Sequence, residues 1–577
     1  MSTKKNRHSN KFLFAAGVLL IGSVFYLACN SGTDKSKEAV KETELDTTVP
    51  VIKISPVVPI DILPKDSADS ATLIQAAVFA WQEFIALNWP AEKGFRDSAN
   101  AALAFGSQTG TVPLVWHTFR HKVEIYPGNN KPPTGYDSTL PYFGYNTPVP
   151  SYLYDPKSTG TADGSVLPCD TPSKNTPWVN LDETNEIGVA TMFAGVADSA
   201  KYPGQQILFL AKANKQEYKY AAQRKWWDGK NGFPAAQKNT LDFININGNT
   251  PIPGNDSTYV SLPYGTIEIK TAWRRLTKAE KASGRFFSTT VRYYNVNGKT
   301  KKSCYTDEEF GMIALHIIHK TPTAPYFVFA SFEQTDNILT TDGQAVEDED
   351  GNVVRNKDLP PLTPHFKVTN ATGTTYQKFN PDSVASKPGK SLYYRNTAGA
   401  GLPVGTVTIN KRLHPIPQDV IKTNLAAHNA IKAYNKANNV TNSPWEYYKL
   451  VNVQYKPIQK APGVNYTAAD SANYYMANSV VESDYILQEF SGKFSPFKGK
   501  EFTITDYADT LKPDSIAYNA YNNGKYLMGG CMGCHGNATN KGTDYSFILG
   551  KPVKEPQSGD TVSLAAALKK QMLNFNR

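Results

Sequence analysis

Residues 531–536 read Cys-Met-Gly-Cys-His-Gly, and the spacing Cys531-x-x-Cys534-His535 constrains this chain more than any other feature. It is the attachment pattern of a c-type haem. Two thiols three positions apart can form thioethers with the two haem vinyl groups. The adjacent histidine is then held under the iron, where it can supply the proximal nitrogen. The chain is therefore expected to fold around one covalent haem c. Two competing readings of the motif are weaker. A zinc knuckle needs four ligands, and the sequence has no second Cys-x-x-Cys. A thioredoxin-like dithiol lies beside a βαβ pattern, whereas this motif ends a Gly- and Tyr-rich stretch near the C-terminus.

The N-terminus fits attachment outside the cytoplasm. Lys4, Lys5, Arg7 and Lys11 precede one apolar run from Phe12 to Ala28, which has the length of a signal h-region rather than of a membrane span. The run ends Tyr26-Leu27-Ala28-Cys29, the pattern of a bacterial lipobox in which Cys29 is lipidated and becomes the first mature residue. Asn30 after it resembles outer-membrane sorting, so a lipid anchor facing the periplasm is expected. Residues 29–67 begin polar, without aromatics to Pro50, and read as a flexible tether. The formal net charge is +10, and the four signal-region cations account for part of it. The remainder is spread thinly, with no basic run to track a phosphate backbone, so no nucleic-acid partner is expected.

The chain has five cysteines. With Cys29 assigned to lipid and Cys531 and Cys534 to haem, Cys169 and Cys304 remain. An oxidising compartment permits a disulfide between them, and two buried thiols are the alternative.

Forty Gly, 38 Pro and 32 Tyr give the turn-rich, aromatic composition of β-rich secreted proteins. The clearest helix is 73–87, with Ile74, Ala77, Val78, Trp81, Phe84 and Ile85 at a 3.6-residue period, Ser67 or Asp69 as cap and Pro90 beyond its end. Strands are expected over 206–210, 267–273, 289–294, 312–318, 326–332 and 447–455. Hairpin turns are expected at Asn247-Gly248, Asn297-Gly298 and Asp350-Gly351. A second helix should span 419–436, and helical pattern resumes from Asp514 and again over 562–575. The fold class is α+β. A large β-rich body of unknown function, 68–504, carries a small C-terminal helical, cytochrome c-like haem segment, 505–577, which has too little core to be stable alone.

Other polar clusters have plainer readings. His316 and His319 lie in a β-branched run, so they should point to opposite faces of a strand and cannot share a metal. Glu268 and Lys270 share one strand face. They form a solvated pair unless that face is also covered, in which case they mark a site. His117 and His121 have metal-binding spacing on a helix, but a solvated face is the simpler reading. Residues 347–352 look like a calcium loop, yet the position that needs Gly is Val353, so an acidic hairpin tip is expected.

Several stretches together resemble a known group. They are Trp81-Gln-Glu-Phe-Ile-Ala-Leu-Asn-Trp-Pro90, Ile267-Glu-Ile-Lys-Thr-Ala-Trp273, Leu315-His-Ile-Ile-His-Lys-Thr-Pro322, Ser331-Phe-Glu-Gln-Thr-Asp-Asn337 and the haem motif followed by Asp544-Tyr-Ser-Phe-Ile-Leu549. Their order resembles that of large bacterial mono-haem cytochrome c-family lipoproteins of unassigned activity. The resemblance implies haem binding, with Cys531, Cys534 and His535 in their usual roles, and implies no substrate. The chain departs from small soluble cytochromes c in one respect: no methionine lies between Cys534 and Met572. Met572 falls on an expected apolar helix stripe, so a histidine of the body, such as His428 or His414, is an alternative sixth ligand.

These features support an extracytoplasmic cytochrome that passes single electrons to or from a redox partner protein or a small donor or acceptor. The size of the body leaves a second possibility, a haem-dependent oxidoreductase with a substrate site in that body. A scaffold lipoprotein with a structural haem is the third.

Overall fold

The computed structural model describes residues 50–63, 71–107, 112–126, 132–137, 156–171, 177–182, 190–194, 205–228, 232–247, 251–254, 257–276, 278–297, 299–337, 347–353, 392–396, 405–412, 415–456, 478, 490–496, 502–503, 530–539 and 541–549. The described residues all belong to the second of two units of the chain, Thr48–Arg577. The expected signal region, Cys29, most of the tether, His414 and the helix expected over 562–575 lie outside the described residues.

The second unit is mixed α+β. Its first helix, α1 (Leu73–Leu87), forms where the apolar period predicts. Its cap is Thr72, and neither Ser67 nor Asp69 lies among the described residues. The Thr72 hydroxyl accepts from Gln75 N at 3.2 Å, and Gln75 Oε1 accepts from Thr72 N at 2.8 Å, so two orphan donors of the first turn are satisfied reciprocally. The Asn88 side chain ends the helix by donating to the Phe84 carbonyl at 2.8 Å.

Next in chain order come β1 (Leu208–Ala213), α2 (Lys215–Gln223), α3 (Phe233–Asn247), β2 (Ile267–Arg274), β3 (Ser288–Val296), β4 (Ser303–His319), β5 (Val328–Gln334), α4 (Gln418–Ala437), β6 (Tyr448–Gln454) and α5 (Gly530–Thr539). In the central sheet β1, β2, β4, β5 and β6 are antiparallel neighbours in that order, and Arg120–His121 lies outside β1. The N-terminal half of β4 pairs with β3, which in turn carries the short parallel strand Val179–Leu181. A second antiparallel sheet has six strands, in the order Phe502–Thr503, Phe490–Pro496, Gly405–Arg412, Leu392–Asn396, Ala190–Ala194 and Gln205–Gln206.

Both faces of the central sheet are covered. One packs on α1 and α4, where Trp81, Phe84, Phe332, Trp445 and Tyr448 meet at ring-centroid distances of 5.1 Å (Trp81–Phe332), 4.4 Å (Phe84–Phe332) and 5.7 Å (Phe84–Trp445). The other packs on residues of α2, α3 and the haem-motif segment, and Ile318, Phe329, Cys531, Met532 and Tyr545 share a single core there. Burial on two sides is why the C-terminal half of β4, and the whole of β5 and β6, read as continuous buried runs rather than alternating ones.

Three expectations need correction. Asn247 closes α3 and is not a hairpin turn; the β-branched Ile244 and Ile246 disguised that helix. Strand β4 begins at Ser303, nine residues earlier than expected. Its charged half is held by cross-strand pairing, with Arg292 donating to Asp307 at 2.7 and 2.8 Å, so no apolar alternation marks it. His117 and His121 are buried rather than solvated. His117 Nδ1 accepts from Leu114 N at 3.2 Å, and His121 lies 3.2 Å from Glu124. Burial pushes the His117 pKa well down and that of His121 down to about 3, so both are neutral near pH 7. The turns at Asn297 and at Asp350-Gly351 form as expected, the latter closing a bridge between Glu347 and Val353 with Gly351 at φ 97°.

Cys169 and Cys304 are joined in a disulfide, with a Cα–Cα distance of 4.9 Å. It fixes the strand Leu167–Pro168 beside the start of β4 and marks an oxidising, extracytoplasmic compartment. Among the described residues no helix is long and apolar enough to cross a membrane.

Candidate functional site

The haem motif lies on α5, a helix whose Gly530, Gly533 and Gly536 give it little propensity of its own. Tertiary contacts hold it instead. Cys531 and Met532 are buried in the core under the sheet, and Met532 N donates to Gln454 Oε1 of β6 at 2.9 Å. The following loop is tied down at three points. Gln237 of α3 donates to the Lys541 carbonyl at 3.0 Å. Gly542, at φ 73°, lies so close to the Gln237 backbone that a Cβ there would meet its carbonyl oxygen at 2.5 Å. Lys320 Nζ and Leu262 N both donate to Asp544 Oδ2, at 2.7 and 2.5 Å.

Asp544 and Tyr545 are both left-handed, at φ 48° and 65°, a conformation that a tyrosine rarely adopts. The turn they make presents the Tyr545 carbonyl to His535 Nδ1 at 2.7 Å. A carbonyl can only accept, so Nδ1 carries the ring proton and Nε2 holds a lone pair. This is how a metal-binding imidazole is oriented and kept in one tautomer. Phe329 and Phe547 flank the ring, with centroids at 4.9 and 4.8 Å.

The sheet face opposite α5 carries the other half of the site. His316 on β4 stands between Lys270 of β2 and Ser331 of β5 in the cross-strand register, so the three share one face. Its ring is parallel to that of His535, with centroids 6.1 Å apart. His316 and His319 do point to opposite faces, and His319 meets Glu83 of α1 at 2.7 Å. His316 is buried, and periodicity within one strand carries no signal of what covers its polar face.

Glu268 completes the face. It is buried, and it hydrogen-bonds Glu217 of α2 rather than forming a solvated pair with Lys270. Burial, and then the neighbouring Glu268, hold the Glu217 carboxyl well above the usual range. Burial pushes Glu268 up to about 7. Ser546 lies 3.5 Å from Glu217, so this acid pair abuts the same turn that orients His535. His428 is elsewhere. Its Nδ1 lies 2.6 Å from Asp350 and its Nε2 2.8 Å from the Tyr448 carbonyl, both on the α1–α4 side, which removes it as a ligand candidate.

The donor set fits a haem. If Cys531 and Cys534 carried the porphyrin edge, His535 would be the adjacent imidazole in the tautomer that binds iron through Nε2, with aromatic walls beside it and a second imidazole parallel to its own. No group of three or more His, Cys, Asp or Glu residues suited to a bare metal ion occurs among the described residues. Comparison with models of known protein families, with curated proteins and with solved structures finds no match to this chain.

Proposed function

We propose that this chain is an extracytoplasmic c-type cytochrome, related to the large mono-haem lipoproteins it resembles, that carries one haem on Cys531 and Cys534 and transfers single electrons. The observation that carries the reading is the Nδ1–H of His535 donating to the Tyr545 carbonyl, directly beside a complete attachment motif. That bond fixes the tautomer in which Nε2 can bind iron. Bound haem supplies a one-electron couple, and thioether links keep it in place where it could otherwise be lost. The chain's own residues do the rest. Phe329 and Phe547 shield the imidazole, and Asp544 with Lys320 holds the turn that aims it. Cys29 would anchor the protein by lipid to the outer membrane; a mature N-terminus lacking acyl groups at Cys29 would contradict that part.

A second reading, haem-dependent oxidation of a small substrate, is favoured by one observation. The buried Glu217–Glu268 pair holds an exchangeable proton against the haem-motif turn, as a proton-coupled reaction requires. Mixing the reduced protein with peroxide, alongside a redox titration, separates the two. A carrier gives one reversible single-electron wave and no reaction of the reduced protein with peroxide. An enzyme gives rapid reoxidation.

A further inference from the structure

We propose that His316 is the second axial ligand of the iron, opposite His535, so that a bis-histidine haem joins the C-terminal segment to the central sheet. The inference rests on the haem reading above and extends it to a residue outside the attachment motif.

The separation and plane angle of the two rings match those of two imidazoles on one metal. The ring planes are parallel, at an interplanar angle of 0°, and the centroids lie 6.1 Å apart. Ring faces in direct contact would approach to about 3.5–4 Å. Two metal–imidazole bonds of about 2 Å, plus about 1 Å from each nitrogen to its ring centre, give about 6 Å. The rings come from unrelated elements, β4 and α5, so nothing in local chain geometry imposes the match. Each ring is separately positioned. His535 is set by its bond to the Tyr545 carbonyl, and His316 by the ladder that pairs it with Lys270 and Ser331, at 4 % exposure.

The remaining described histidines of the body are placed for other work. His319 faces Glu83 on the other side of the sheet, His428 has both nitrogens engaged there, and His117 and His121 belong to the Glu124 region. Met532 is next to an attachment cysteine and packs into the core. Six-coordinate iron of this kind is closed to small ligands and has a lower potential than the methionine–histidine kind, which favours transfer over catalysis.

The test uses the full chain, matured with haem in a host that attaches c-type haem. The ferric wild type should be low-spin, with a near-infrared charge-transfer band of bis-imidazole iron, no methionine-to-iron band, and the rhombic paramagnetic spectrum that parallel axial rings produce. The ferrous form should not bind carbon monoxide. His316→Met should keep covalent haem and gain the methionine-to-iron band. His316→Ala should turn high-spin and bind carbon monoxide, and added imidazole should reverse both changes. Met572→Leu should leave every spectrum unchanged. Covalent haem with wild-type spectra in both His316 variants would overturn the proposal and leave the haem reading intact. A wild type with a methionine band or high-spin iron would overturn it even if the variants fail to fold. A wild type with no covalent haem would remove the haem reading itself.

Discussion

Lys320 Nζ lies 2.7 Å from Asp544 Oδ2, and the two side chains are only 5 % and 2 % exposed. Lys320 directly follows β4, and Asp544 begins the turn that aims His535. The pair therefore latches the haem segment to the strand that carries His316. Removing either partner leaves a buried charge uncompensated, which costs about 3–5 kcal/mol. Asp544→Asn and Lys320→Met should each lower the thermal midpoint by several degrees and broaden the haem spectrum as His535 loses its fixed orientation. The paired change Lys320→Met with Asp544→Asn should be milder than the sum of the two single changes, because no charge is left uncompensated and Asn can still accept from Leu262 N. Single variants as stable as wild type would show that the latch contributes nothing.

The Glu217–Glu268 pair should make stability depend on pH in an unusual direction. Both carboxyls are pushed up from 4.5 in the folded chain, Glu268 to about 7. The folded state thus binds protons that the unfolded state has released. Stability from this pair is fully present below about pH 4.5 and is lost as pH rises toward 7. One proton gives a slope of at most about 1.4 kcal/mol per pH unit. Glu268→Gln should flatten the slope of unfolding free energy between those limits and leave the variant more stable than wild type above pH 7. Denaturant unfolding at four or five pH values measures this, and parallel curves for the two proteins would refute it.

What was legible in the sequence follows from how each signal is encoded. Helix α1 and the apolar half of β4 were legible because periodicity reports burial directly. The haem-attachment reading rests on the sequence alone, where the chemistry of the motif fixes its spacing. The charged half of β4 was hidden because ion pairs to β3, rather than apolar contacts, hold it there. The cap on α1 was misplaced because Ser67, Asp69 and Thr72 are all good caps, and only the reciprocal bond with Gln75 distinguishes them. The relation between His316 and His535 was invisible. It depends on α5 crossing the second face of the sheet, and nothing near residue 316 or 535 states that pairing. The burial of Glu268 depends on the same covering, and the sequence could give it only as a condition.

The central claim is that Cys531 and Cys534 carry a covalent haem, and the most direct test is the fate of haem on denaturation. The chain should be matured as a c-type cytochrome, unfolded, and extracted with acidic organic solvent, with intact mass and haem absorbance followed on the polypeptide. The account predicts that haem stays with the chain through extraction, that the mass rises by one haem, and that Cys531→Ala with Cys534→Ala abolishes both. Haem that extracts fully from the wild type, or that remains bound to the double variant, would contradict the account.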